Sequence, residues 1–179
     1  MRAEIGQEHR YEHCVRVARC ADVLAQSYGI DPAKARLAGL LHDLARLYSP
    51  ARLLDESAAR GLPIDEVERS HPILLHARLS AEIARERFGV SDPDVLSAIE
   101  KHTLGDAHMS PLDCVVYLAD GLEPGRNFPE RANLWQLAQR DLEAAMRGTI
   151  REMIGYLECK GLALAPKTVA AARAFGVEC

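Results

Sequence analysis

The chain has 179 residues, 48% of them apolar and 27% charged, with a net charge of -4 when the histidines are neutral. This suits a folded globular protein of one domain over residues 1–179, long enough to bury a sizeable core. Acidic and basic residues are interspersed, which excludes a general nucleic-acid binder. No apolar run approaches the roughly 20 residues that a membrane span needs.

In chain order, nearly every segment repeats its apolar residues with a helical period. From Arg10 to Tyr28 the stripe Tyr11, Cys14, Val15, Ala18, Ala21, Ala25 and Tyr28 predicts a first helix, stopped by Gly29. Asp31-Pro32 then supplies an N-cap and a first-turn proline for a second helix, whose run Leu37–Tyr48 carries His42 and Asp43. Ser49-Pro50 opens a short helix ended by Gly61. His71-Pro72 and Asp92-Pro93 repeat the device, predicting helices that end near Gly89 and about Leu104, with His71 as a cap.

Ser110-Pro111 opens LDCVVYLAD, closed by Gly121, and GLEPGRNFP reads as a loop. Glu130 to about Ala145 and Thr149 to Lys160 read as two helices with a break near Gly148. Pro166 introduces a last helix to Phe175. Strand signals, repeats and linkers are missing, so the fold class is all-α, a single-domain array of about eight to ten helices.

The five cysteines are odd in number and form no CxxC pair, which indicates neither a disulfide framework nor a zinc ribbon and suits a reducing compartment. Cys14 and Cys114 read as core residues. The start, MRAEIGQEHR, lacks the apolar centre of a signal peptide, so the cytoplasm is the expected location.

Chemistry concentrates where polar residues interrupt apolar helices. Burying the adjacent His42 and Asp43 is costly unless something neutralises them. His13 lies in the first helix and Asp120 ends VVYLAD, so three helices each contribute His or Asp from an apolar context. Helical arrays build metal sites in this way. Imidazole and carboxylate without paired thiolates suit iron, manganese, zinc or a similar divalent ion. His9 and His108 read as surface residues, and Tyr117 and Leu118 as packing.

The spaced set His13, His42-Asp43 and Asp120 resembles the HD-domain metal-dependent phosphohydrolase superfamily. Six ordered blocks narrow the resemblance: RYEH, AGLLHDLAR, HPILLHA, AIEKHTLG, MSPLDCVVYLADGLEPGRNFP and PKTVAAAR. They are similar to the YqeK-type family of symmetrical diadenosine tetraphosphate hydrolases, over about residues 8 to 175. The wording departs from that family at Leu104 and Asp106 in HTLGD, at Gly121 after Ala119-Asp120, and at Ala174 after Arg173.

The resemblance implies an HD-type fold in which His13, His42, Asp43 and Asp120 hold a metal, with iron the family's expectation and one or two divalent or mixed-valence ions per chain. It implies that His76 and His102 serve a second ion or face the phosphates, and that Asp43 bridges. Asp43, His76 and His102 are then the catalytic candidates. Arg10, His76, His102, Arg126 and Thr168 are the candidates for substrate contact.

The implied reaction is cleavage of diadenosine tetraphosphate to two ADP by a metal-activated water. The alternatives are an HD phosphohydrolase acting on a nucleoside monophosphate, deoxynucleoside triphosphate or cyclic nucleotide, or a non-catalytic nucleotide-sensing module. Expected partners are a small nucleotide and a second copy of the chain in a homodimer, with neither nucleic acid nor membrane.

Overall fold

Proline sets the start of five of the ten α-helices in the computed structural model, which describes residues 6–178. The helices are α1 (Glu8–Ser27), α2 (Pro32–Leu41), α3 (Pro50–Ala59), α4 (Glu66–Ser70), α5 (His76–Phe88), α6 (Pro93–Lys101), α7 (Pro111–Leu122), α8 (Arg131–Ala138), α9 (Leu142–Cys159) and α10 (Pro166–Ala174), and a 3-10 turn, Pro72–Leu75, leads into α5. No strand occurs among the described residues, so the all-α expectation stands. The caps act as the sequence suggests: the Asp31, Ser49, Asp92 and Ser110 side chains each accept from a backbone N–H in the first turn they precede.

Helices α1, α2, α6 and α7 pack around one core. Leu24, Leu53, Leu79, Ile99, Leu118 and Ile150 are sealed from solvent within it. Each such side chain stabilises the fold by about 1.5–3 kcal/mol. The backbones of α1 and α2 approach closely, so that a Cβ on Gly39 would sit 2.8 Å from the Ala18 Cα. Only glycine lets the two backbones come that close, and the approach brings the end of α2 beside the first turns of α1.

Four expectations are corrected. The second helix stops at Leu41, and residues 42–47 form successive tight turns, with Arg46 N–H donating to the Asp43 carbonyl and Tyr48 N–H to Ala45. The Asp92-Pro93 helix likewise stops at Lys101, before His102. The break expected near Gly148 lies instead at residues 139–141, because Asp141 caps α9 and Gly148 sits inside it, packed so closely on Leu134 that a Cβ would meet Leu134 Cδ2 at 2.5 Å. His71 makes no side-chain cap bond, and the unforeseen α4 is set just before it by an Asp65–Glu68 capping box.

Candidate metal centre

Three histidines reach the centre by the same local device. His42 follows the last residue of α2, His102 the last of α6, and His76 the last of the 3-10 turn. Each turns its ring back onto the carbonyl three residues earlier: His42 Nδ1 to Gly39 O at 2.8 Å, His76 Nδ1 to Ile73 O at 2.5 Å, and His102 Nδ1 to Ile99 O at 2.7 Å. In a continuing α-helix those carbonyls would accept from the next backbone N–H. At Gly39 and Ile99 the ring takes that place where α2 and α6 end, whereas at Ile73 the His76 backbone N–H also donates and α5 runs on from His76. A carbonyl only accepts, so Nδ1 carries the proton and the Nε2 lone pair points inward.

His13 is held differently. Its Nδ1 donates to Glu123 Oε1 at 3.1 Å, and Glu123 also accepts from Arg16 Nε at 2.5 Å and from the Gly125 N–H at 2.6 Å. Burial alone would raise the Glu123 carboxyl, but the bonds from Arg16 and Gly125 outweigh it and bring it to about 2. Glu123 is therefore ionised and accepts, leaving His13 Nε2 to face inward.

The four Nε2 atoms converge on Asp43, itself 4% exposed. Asp43 Oδ2 lies 3.3 Å from His42 Nε2 and 3.7 Å from His13 Nε2; Oδ1 lies 3.2 Å from His76 Nε2 and 3.8 Å from His102 Nε2. Asp120 Oδ1 completes the first group, 3.1 Å from His13 Nε2 and 3.7 Å from His42 Nε2. Thus one carboxylate turns one oxygen to each of two histidine pairs. All six candidate metal residues meet in one place.

The donor set fits a divalent cation. His13 Nε2 and His42 Nε2 are buried with no hydrogen-bond partner, a costly state that a positive ion removes. Potential ligand atoms within 4.8 Å of one another form three overlapping triads: His13, His42 and Asp43; His42, His102 and Asp120; and Asp43, His76 and His102. Burial, helped by neighbouring charge, keeps the His42, His76 and His102 rings neutral and able to ligate: it holds His42 well below its ordinary value, His76 at about 4 and His102 at about 3. For Asp120, burial works the other way, but the nearby His13 ring and the Arg126 charge outweigh it and hold the carboxyl well below its usual range.

Arginines surround the acidic pair. Arg10 donates to Asp43 Oδ2, and Arg126 donates to Asp120 Oδ1 and, through Nε, to the Asp120 carbonyl at 2.9 Å. Arg46 lines the same cavity of about 490 Å3 as Arg10, Asp43, His76 and Arg126. Thr168 also lines it, with its hydroxyl donating to the Leu104 carbonyl at 3.1 Å, which docks α10 on the segment after His102. His9 and His108 are exposed, and Cys14 and Cys114 are buried, with thiols that burial pushes up to about 12. Leu118 and Tyr117 are both core residues as expected, and Tyr117 also lines a cavity.

Sequence reasoning missed Glu123, Arg16, Arg46 and Thr103, whose Oγ1 lies 2.9 Å from His102 Nε2 and 3.2 Å from His76 Nε2. The signals existed for two of them: Arg46 stands in the AGLLHDLAR block, and Glu123 is the carboxylate directly after the helix that carries Asp120.

Known proteins share both this sequence and this shape. The HD domain family model matches residues 10–125. A Halalkalibacterium halodurans protein named bis(5'-nucleosyl)-tetraphosphatase, symmetrical, is 36% identical, the match covering 91% of this chain and 87% of that protein. The Bacillus subtilis protein of the same name is 35% identical over 90% and 86%. The crystal structure of a Clostridium acetobutylicum HD-superfamily hydrolase, described as involved in NAD metabolism, superposes with a TM-score of 0.91 at 34% identity, over 94% of this chain and 89% of that one. By sequence and by fold, the chain belongs to the HD-domain metal-dependent phosphohydrolases, in the family of the symmetrical bis(5'-nucleosyl)-tetraphosphatases.

Proposed function

We infer that this chain hydrolyses dinucleoside tetraphosphates symmetrically, with diadenosine tetraphosphate as the substrate to test first and two ADP as products. The observation that carries the reading is the meeting, in one cavity, of Asp43 and His76 with three arginines, Arg10, Arg46 and Arg126. A tetraphosphate brings several negative charges, and guanidinium groups beside a cation site match that demand. The names of the relatives support the same substrate class.

His13, His42, Asp43 and Asp120 would hold one ion, and Asp43 with His76 and His102 a second. The two oxygens of Asp43, each facing its own histidine pair, support the bridging role and a count of two. The thiolate-free donor set supports iron among the divalent candidates. When bound, such ions polarise a phosphoryl oxygen and acidify an attacking water.

The chain's own groups then orient and neutralise. Water adds to one of the two central phosphorus atoms, the bridging P–O bond breaks, and the bridging oxygen leaves with the other nucleoside diphosphate. Arg10, Arg46 and Arg126 balance the charge on the phosphate oxygens. Glu123 holds His13 in its tautomer, and the Gly39, Ile73 and Ile99 carbonyls do so for His42, His76 and His102. The unpaired Cys14, Cys20, Cys114 and Cys159 suit the reducing cytoplasm.

The test is metal analysis of the purified protein, then a substrate panel after reconstitution with iron, manganese, cobalt or zinc. Chromatography should find ADP alone from diadenosine tetraphosphate. ATP with AMP, or turnover confined to a nucleoside monophosphate, deoxynucleoside triphosphate or cyclic nucleotide, overturns the reading.

A further inference from the structure

Two cavities flank the cluster. One, of about 490 Å3, runs from Arg10, Asp43 and His76 out to Leu157, Leu162 and Ala163. The other, of about 780 Å3, starts at His102 and Tyr117 and runs along α9 past Thr149, Glu152 and Gly155. Thr103, Asp120, Arg126, Met153 and Tyr156 line both. They are therefore lobes of one cleft, with Asp120 and Arg126 at its waist and the α9 side chains Met153 and Tyr156 as its divider. Each lobe has the size that encloses a small organic ligand, roughly 300–1,000 Å3.

Tyr156 is the second observation. It is 60% exposed, with Lys160 Nζ 5.9 Å from its ring centroid, on a helix whose Met146, Ile150 and Ile154 are buried in the core. An aromatic face at the rim of two cavities offers each a stacking surface for a flat heterocycle.

Resting on the function inferred above, we propose that the two lobes are the two nucleoside subsites of one dinucleoside polyphosphate. The chain of phosphates crosses the waist, and Tyr156 serves as the wall against which a base stacks. A pocket on one side of the cluster would leave the far nucleoside unheld. Lobes on both sides hold both ends, which puts the central phosphates at Asp43 and Asp120 and accounts for cleavage in the middle.

Two exposed positions allow each lobe to be filled separately. A Cβ on Gly155 meets no atom within 4 Å, so Gly155→Trp fills the larger lobe without a clash at the backbone. Ala163→Trp fills the smaller one from an exposed segment. Calorimetry of the full-length, metal-loaded protein with ADP should give two ADP per chain for wild type, one for either variant and none for the double variant. The KM for diadenosine tetraphosphate should rise at least about tenfold in each single variant. Unfolding midpoint and metal content report whether each variant is folded.

Tyr156→Ala, which removes side-chain atoms and adds none, should weaken both ADP sites, and Tyr156→Phe should restore them. One ADP per wild-type chain, or loss from only one of the two tryptophan variants, overturns the proposal even if ADP is the sole product of cleavage. Two ADP sites lost one at a time, in a protein that leaves diadenosine tetraphosphate uncut, would keep the lobes and discard the function.

Discussion

The two histidine pairs around Asp43 are anchored by unlike means. His76 and His102 are both held by backbone carbonyls, those of Ile73 and Ile99. In the other pair His42 uses the Gly39 carbonyl, but His13 depends on the side chain of Glu123, which Arg16 and the Gly125 N–H fix in turn. A backbone anchor exists as long as the helix ends where it does. A side-chain anchor can be deleted by one substitution, and being charged it strengthens its histidine as a ligand. The pair at His13 and His42 is thus the tunable half of the centre, and the pair at His76 and His102 the fixed half.

Asp43 belongs to both halves, so its removal should erase the comparison. Asp43→Asn should lose bound metal and cut kcat/KM by at least about 1,000-fold, a loss of about 4 kcal/mol of transition-state stabilisation. Wild-type turnover in that variant would sink the bridging assignment. Chelation tests both halves at once without a mutation. If the ion is present at about a hundred times its dissociation constant, its removal costs about 2.7 kcal/mol, and the unfolding midpoint should fall by about 5–10 °C. An unchanged midpoint would mean that the buried, partnerless Nε2 atoms of His13 and His42 are not relieved by a cation.

Glu123 separates the halves. Glu123→Gln keeps an acceptor for His13 but drops the charge, and metal affinity should fall about tenfold; Glu123→Ala should approach a hundredfold. Both losses should appear in equilibrium metal titration and should be confined to one ion. Equal loss of two ions would show that the halves are not independent. Gly39→Ala attacks the backbone anchor on the same side. Its Cβ would press on the Ala18 backbone, destabilising the fold by about 1–3 kcal/mol by denaturant titration and lowering metal content through His42. Thr168→Val, at a residue that lines the same cavity but bonds neither pair, should cost only about 1 kcal/mol by leaving the Leu104 carbonyl without its hydroxyl donor.

Much of this centre is legible in the chain before any folding. His13, His42, Asp43 and Asp120 stand out because they interrupt apolar runs, and the wording around His76 and His102 resembles that of a known family. The helix starts are equally legible, since Asp31, Ser49, Asp92 and Ser110 each precede a proline and cap through contacts confined to one turn. The ends are harder. The Leu37–Tyr48 run keeps its period through His42, but the imidazole takes the Gly39 carbonyl and the helix stops, a competition that periodicity does not register. Gly148 misleads for the opposite reason, because close packing on Leu134 favours a glycine within a helix.

The sequence alone determines which residue types are available and where helices begin, because caps, prolines and apolar periods act over a few neighbouring residues. The partner of each ring was decided by the fold. Glu123 reaches His13 across 110 positions of chain, and Asp43 meets His76 and His102 only once α5 and α6 have packed. Distances of 3–4 Å between residues so far apart depend on the close approach of α1 and α2 at Gly39 and Ala18 and on the burial of one common core. No local pattern carries that information, since it arises from many apolar contacts that together fix the helices relative to one another.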